Sequence, residues 1–328
     1  MNALASDLVN LPFTLSSSST DGLFVFSTFG LSSELVLSDE VSSLLTISLD
    51  ELSELEGSLL FGPAGCGLQA ANNIMKTKTL VLLLLFFLIT NKGYSQSNNI
   101  EIPVSAKGKR ELIFKRKNYT LSFNKETNIP NWVAWQLDKK KLTEQVSRKG
   151  FNFRPDPDIE KNKAVVTQDY AHSGYDRGHM CPAGDSRWDG QAMMESFYMT
   201  NICPQHPNLN GGDWHELEQA CRRWALEGRL YIVCGPILYK KGTPQYIGKE
   251  HKIRVPEAFF KVILTGVEKG KPRAIGFIYK NTAGNRPLDS YVNSIDQVER
   301  ITGLDFFSEL PDEIENRVEK AFNLKEWK

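Results

Sequence analysis

From residue 112 onward the chain is built of short blocks in which apolar and polar positions alternate or run together. "LIFKRKNYTLSFN" (112–124) and "NWVAWQLDK" (131–139) alternate as strands do, and "KETNIP" between them ends at Pro130, a turn marker. "GRLYIVCGPIL" (228–238), "AFFKVILT" (258–265) and "RAIGFIYKN" (273–281) are β-branched and aromatic almost without interruption. That composition predicts strands buried on both faces. The pattern changes period over 214–227, "WHELEQACRRWALE". At about 100° per residue, Trp214, Leu217, Cys221, Trp224 and Ala225 share about one third of a helical circumference, and Gly228 follows as a stop. Glu218 and Arg222 lie at the edge of that stripe, four residues apart, and so point the same way. Further helices are expected over 294–302 and 311–322. No internal repeat appears. The pattern predicts one α+β domain over 97–328, with a mixed or antiparallel central sheet and flanking helices.

The region before this domain has a different character. Residues 75–97, "MKTKTLVLLLLFFLITNKGYSQS", join two lysines to an apolar run of ten residues and then to small and polar ones, the layout of a secretory signal peptide over 75–96. A membrane anchor is the competing reading, but a span needs roughly 20 apolar residues. Residues 1–74 are rich in Ser and Leu without a convincing period; they read as a disordered leader, from a mis-assigned start or a pro-extension, that adds nothing to the fold.

Charge sharpens this division. The chain carries 39 basic and 39 acidic residues, yet nine of the acids and none of the bases precede Lys76. Once the first 95 residues are removed, 36 bases face 30 acids, a mild excess that suits a polyanionic partner. Four cysteines remain: Cys181, Cys203, Cys221 and Cys234. In an exported chain they permit two disulfides with three connectivities, and a bridge from Cys181 to one of the other three is expected. The absence of any C-x-x-C pair argues against a zinc knuckle.

Candidate chemistry is concentrated in two stretches. "YDRGHMCPAGD" (175–185) sets an imidazole two residues from a guanidinium. His179 can take a proton near neutral pH, and Arg177 offers a fork suited to phosphate oxygens. "TNICPQHPNLNGGDWHELEQACRR" (200–223) places Asn208 and Asn210 in a Pro/Gly loop leading into the helix of Glu218 and Arg222. Amide and carboxylate oxygens are hard ligands of the kind Mg²⁺ takes. A thiol nucleophile at Cys181 is the rival reading, but no oxyanion signature accompanies it.

"DRGHM" followed by "TNICPQxxxLNGGxWxxLE", with "LYIVCGPIL" and "VERITGLDFFSELPD" further on, resembles the DNA/RNA non-specific endonuclease family, the ββα-metal (His-Me finger) nucleases. The resemblance covers about 118–312. It implies that His179 is the general base and that Asn210 is the one side chain bound directly to the metal. Glu218 would hold metal-bound water, Arg177 and Arg222 would neutralise phosphorane-like charge, and Asp176 would order the turn. An upstream Arg is also implied, with Arg148 and Arg154 as candidates. The cofactor implied is Mg²⁺, with Mn²⁺ as an alternative, and the partners are DNA and RNA as substrates. No stable membrane association is expected after signal cleavage; a homodimer stays open. Of the other histidines, His206, His215 and His251 are read as structural and His172 as a candidate for substrate contact. Trp188, Trp214 and Trp224 are read as core. An inactive nucleic-acid-binding protein of the same fold is the alternative, and a small-nucleotide phosphodiesterase a third reading.

Amino-terminal sequencing of exported protein is expected to begin near Gln96; a start at Met1 or Met75 would remove the signal-peptide reading.

Overall fold

The alternating blocks pair into a seven-stranded antiparallel sheet in the computed structural model, which describes residues 99–105, 111–143, 145–239, 241–282 and 284–327, and the backbone of 14–17, 23–28 and 31–36. Two units divide at Ser95/Gln96. In the first, the strands Thr14–Ser17, Leu23–Thr28 and Leu31–Val36 form an antiparallel meander, so this part of the leader has regular structure. The rest of 1–74 and the signal-like segment 75–96 lie outside the described residues.

In chain order, the second unit contains β1 (Leu112–Lys115), β2 (Tyr119–Asn124), β3 (Ile129–Leu137), α1 (Lys139–Thr143), β4 (Asp176–His179), α2 (Gly190–Ser196), β5 (Ile202–Gln205), α3 (Trp214–Trp224), β6 (Leu230–Ile237), β7 (Ala258–Thr265), β8 (Arg273–Lys280), α4 (Ile295–Thr302) and α5 (Asp312–Lys320). From one edge the sheet runs Val292–Asn293, β8, β7, β6, β3, β2, β1. The block at 112–124, expected as one strand, is a hairpin. It turns at Arg116–Asn118, where the Arg116 N–H bonds the Tyr119 carbonyl at 2.7 Å and the Arg116 side chain pairs with Asp156 at 2.7 Å. Helix α2 has a cue that the hydrophobic pattern did not register: Asp189 caps it, accepting from the Gln191 and Ala192 N–H groups.

Every residue of β6 and β7 is buried, because layers cover both faces of the sheet. One face carries Leu230, Ile232, Phe259, Ile263, Ile275 and Phe277, which pack with Trp214, Leu217, Cys221 and Ala225 of the α3 region. The other carries Tyr231, Val233, Phe260, Val262 and Leu264 against Ile295 and Val298 of α4 and Val318 of α5. Each such side chain contributes about 1.5–3 kcal/mol when fully buried. Helix α4 lies so close to β8 that a Cβ on Gly276 would stand 2.9 Å from Val298, which explains the glycine.

All four cysteines are free thiols in the first of these layers, which corrects the expected disulfides. Each fills a slot of the helix–sheet core, where Cys181 accepts from the Asn118 amide at 3.5 Å and Cys234 donates to the Met180 carbonyl at 3.3 Å. Burial pushes every one of these thiols above the usual range, Cys221 and Cys234 to about 12. A protonated, buried Cys181 is no nucleophile. Among the described residues no helix is long and apolar enough to cross a membrane.

The outer edges of α4 and α5 bring carboxylates together. Burial first, then Glu299, Glu315 and two aspartates, push Glu319 up to about 8, and burial likewise carries Glu299 to about 7. A carboxyl whose folded pKa is raised stabilises the fold below its unfolded value, near 4.5, and loses that contribution as pH rises to the folded value. Thermal unfolding in chelator should therefore show a Tm that falls between pH 5 and pH 8.5 by about 2–4 °C more in the wild type than in Glu319→Gln. Parallel pH profiles would remove the coupling.

Candidate active site

Strands β4 and β5 pair antiparallel, with His179 opposite Ile202 and Asp176 opposite Gln205, and α3 follows β5 through an irregular turn. Gly178 permits this pairing, since a Cβ there would stand 2.3 Å from Oε1 of Gln205. Its neighbours Arg177 and His179 line an open groove of about 1010 Å³. Asp176, Arg148, Asn210, Glu218 and Arg222 line the same groove, so the two sequence stretches meet in one site.

The His179 ring is wedged between Phe153 and Phe197, each with its centroid 5.1 Å away, the second edge-on. Its Nε2 has no hydrogen-bond partner among the described residues. Burial is the main cause that lowers this imidazole's pKa to about 4, with Glu218 opposing the shift and Arg148 adding to it. At neutral pH the ring is uncharged, and one of its two nitrogens carries a lone pair. Arg177 lies 4.8 Å above the Phe153 ring, and Arg148 5.4 Å above Phe197. The same two aromatic rings thus hold the base and two cations.

Asn210 sits in the five-residue π-helical turn Leu209–Asp213, whose Gly212 leaves helical geometry. Its Nδ2 donates to Oδ2 of Asp176 at 3.0 Å, tying the turn to the first residue of β4. That bond occupies the amide nitrogen and leaves the oxygen without a hydrogen bond among the described residues, and both Asn210 and Glu218 line the groove. A neutral amide oxygen beside a carboxylate is a hard-donor set that fits a Mg²⁺-type ion. Although burial works against its ionisation, Glu218 is held below the usual carboxylate range by His215, Lys261, Arg222 and His179.

Behind the groove the charges are paired in depth. Arg222 binds buried Asp185 at 2.6 Å and stands 3.7 Å from Glu218, and the Trp135 indole donates to the other Asp185 oxygen at 3.1 Å. Beneath them Lys261 occupies an inward position of β7, between Phe259 and Ile263, where the pattern calls for an apolar residue. It is fully buried, its ammonium 4.3 Å from the Trp214 ring centroid and 5.4 Å from that of Trp135, with no hydrogen bond among the described residues. Burial alone would strip its proton; the neighbouring thiols, Glu218 and Asp185 reverse the direction. Because Cys221 and Cys234 titrate near 12, the two carboxylates are the counter-charges at neutral pH.

The groove gathers His179, Arg177, Arg222, Glu218, Asp176 and Asn210, all six residues singled out in the sequence. Arg148 lines it; Arg154 does not, its Nε bonding the Asn152 carbonyl at 3.3 Å. His172 also stands outside the lining. His215, read as structural, is part of the site: it lines the groove 3.8 Å from Glu218, which raises its pKa. Trp214 is core as expected, and neither Trp188 nor Trp224 reaches the groove. Sequence reasoning missed Phe153, Phe197, Asp185 and Lys261. Only Lys261 left a signal, a lone cation in an apolar strand.

The family model described as DNA/RNA non-specific endonuclease matches residues 95–313. "Nuclease EXOG, mitochondrial" of Xenopus laevis is 35% identical over 207 residues, covering 59% of this chain and 57% of that protein. "Nuclease" of Nostoc sp. is 34% identical over 219 residues, 62% and 76% of the two chains. "Endonuclease G, mitochondrial" of Homo sapiens is 31% identical over 202 residues, 58% and 68%. This chain thus spans little more than half of the Xenopus protein. A solved structure described as the EndoG/EndoGI complex superposes with a TM-score of 0.58 at 27% identity, over 62% of this chain and 88% of that one.

Lys261→Met should destabilise the protein by about 3 kcal/mol at pH 8, because Asp185 and Glu218 then keep only Arg222. The loss should shrink at pH 5, where the acids can take protons. Urea unfolding at both values checks this, and a pH-independent loss would reduce Lys261 to packing.

Proposed function

We propose, for a chain that belongs to the DNA/RNA non-specific endonuclease family, hydrolysis of DNA and RNA phosphodiester bonds with a divalent ion and His179 as general base. The observation that carries this reading is an uncharged His179 lining the same groove as Asn210 and Glu218. Asn210, and Glu218 through water, would hold a Mg²⁺-type ion, with Mn²⁺ as the alternative. Such an ion polarises the phosphate and offsets charge on the leaving oxygen.

His179 takes the proton of the attacking water on its ring, with Phe153 and Phe197 fixing the ring plane. Arg177 and Arg148 stand on the same aromatic pair and meet the phosphate oxygens; Arg222, anchored on Asp185, adds positive charge as the phosphorus becomes pentacovalent. Asp176 acts at one remove by holding the Asn210 amide nitrogen. Contacts of this kind read phosphate rather than base edges, so little sequence preference is expected. The ends produced are 5′-phosphate and 3′-hydroxyl. The layout of 75–96 supports export, with no membrane attachment of the processed chain, and the reading admits either a monomer or a homodimer.

Plasmid nicking with Mg²⁺ should cease in EDTA. His179→Ala should lower kcat by about 10²–10⁴-fold while the far-ultraviolet spectrum and DNA affinity stay near those of the wild type. An unchanged rate would sink the assignment of the base. DNA binding without metal-dependent nicking would make the chain a binding protein of the same fold.

A further inference from the structure

The carboxylates at the edges of α4 and α5 form a second cluster, across the central sheet from the groove. Asp296 and Glu299 lie three residues apart on α4, Glu315 and Glu319 four apart on α5, and Asp305 ends the short strand Leu304–Asp305. Spaced this way, like charges weaken each helix by a few tenths of a kcal/mol (~0.2–0.5). The fold then turns the two pairs toward each other. Oxygens of Asp296, Glu299 and Glu319 lie within 4.8 Å of one another, and so do oxygens of Asp305, Glu315 and Glu319.

Opposite charge is missing, since among the described residues none of the five forms an ion pair with Lys, Arg or His. Glu319, shared by both triplets, is only 8% exposed and makes no hydrogen bond among the described residues. Oε1 of Glu315 is likewise buried without a partner. Glu299 alone is oriented, its Oε1 accepting the Phe306 N–H at 2.8 Å. Glu319, a residue more than nine-tenths buried with its carboxylate next to four others, has no cation paired with it among the described residues.

We propose that Asp296, Glu299 and Glu319 bind one Ca²⁺ ion, with Asp305 and Glu315 beside them adding negative charge. Oxygens coordinated at about 2.3–2.6 Å to one ion are at most about 5 Å apart, a limit that the Asp296, Glu299 and Glu319 oxygens meet, and Ca²⁺ accepts six to eight oxygens, water included, in flexible geometry. Mg²⁺ demands a regular octahedron and keeps several waters, which crowded carboxylates serve poorly. The cluster contains no His or Cys, so it suits no softer metal. Bound there, the ion joins α4 to α5. The proposal is independent of the reaction in the groove.

Titration calorimetry of the full chain, stripped with EDTA and dialysed, tests it with CaCl2 at pH 8. Asn210→Ala removes the direct metal ligand of the groove and should keep one Ca²⁺ per chain. Adding Glu319→Gln, or separately Asp296→Asn should the first variant misfold, should weaken that binding at least tenfold and abolish the Ca²⁺-dependent rise in Tm. Undiminished binding in the double variants, or none in Asn210→Ala, would overturn the proposal.

Discussion

A sheet covered on both faces leaves no place for an unbalanced charge, and the arrangement around Lys261 follows from that constraint. The residue stands where the alternation of β7 requires an apolar side chain, under α3 and between two indole rings. Its charge persists because Glu218 and Asp185 lie above it. Those acids in turn hold Arg222, whose guanidinium reaches the groove. A vertical sequence of alternating sign thus runs from the core to the surface, and the groove displays its outer end. Removing one member unbalances the others, so the chemistry at the rim rests on a cation that substrate never meets.

On the β4 side the constraint is steric rather than electrostatic. Gly178 lets Gln205 approach, and the residues flanking the glycine face the groove. Asp176 then reaches across to the Asn210 amide. One hydrogen bond therefore sets the orientation of a side chain in a turn that has no regular helical geometry of its own. Phe153 and Phe197 do the same for the imidazole by contact alone, while the burial they impose keeps the ring uncharged.

Much of this was legible in the chain. Strands 258–265 and 273–280 declare themselves by composition, the helix from Trp214 by period, and the six chemical residues by two linked motifs. What stayed hidden depends on distant pairing. Phe153 and Phe197 are 26 and 18 residues from His179 in sequence, outside any local pattern, and Asp185 gains its meaning only when Arg222 folds onto it. The cysteine count misled because an even number is as compatible with four separate core slots as with two bridges. His215, read as structural, joins the site only because the groove opens along the helix edge that it shares with Glu218.

Those four sulfurs have a practical consequence. They lie inside a single helix–sheet layer, protonated and shielded, so an alkylating reagent reaches them only when α3 lifts from the strands below. The rate at which they are modified is therefore a built-in clock for opening of the very interface that carries the groove. Reductants have no crosslink to cleave among these four thiols.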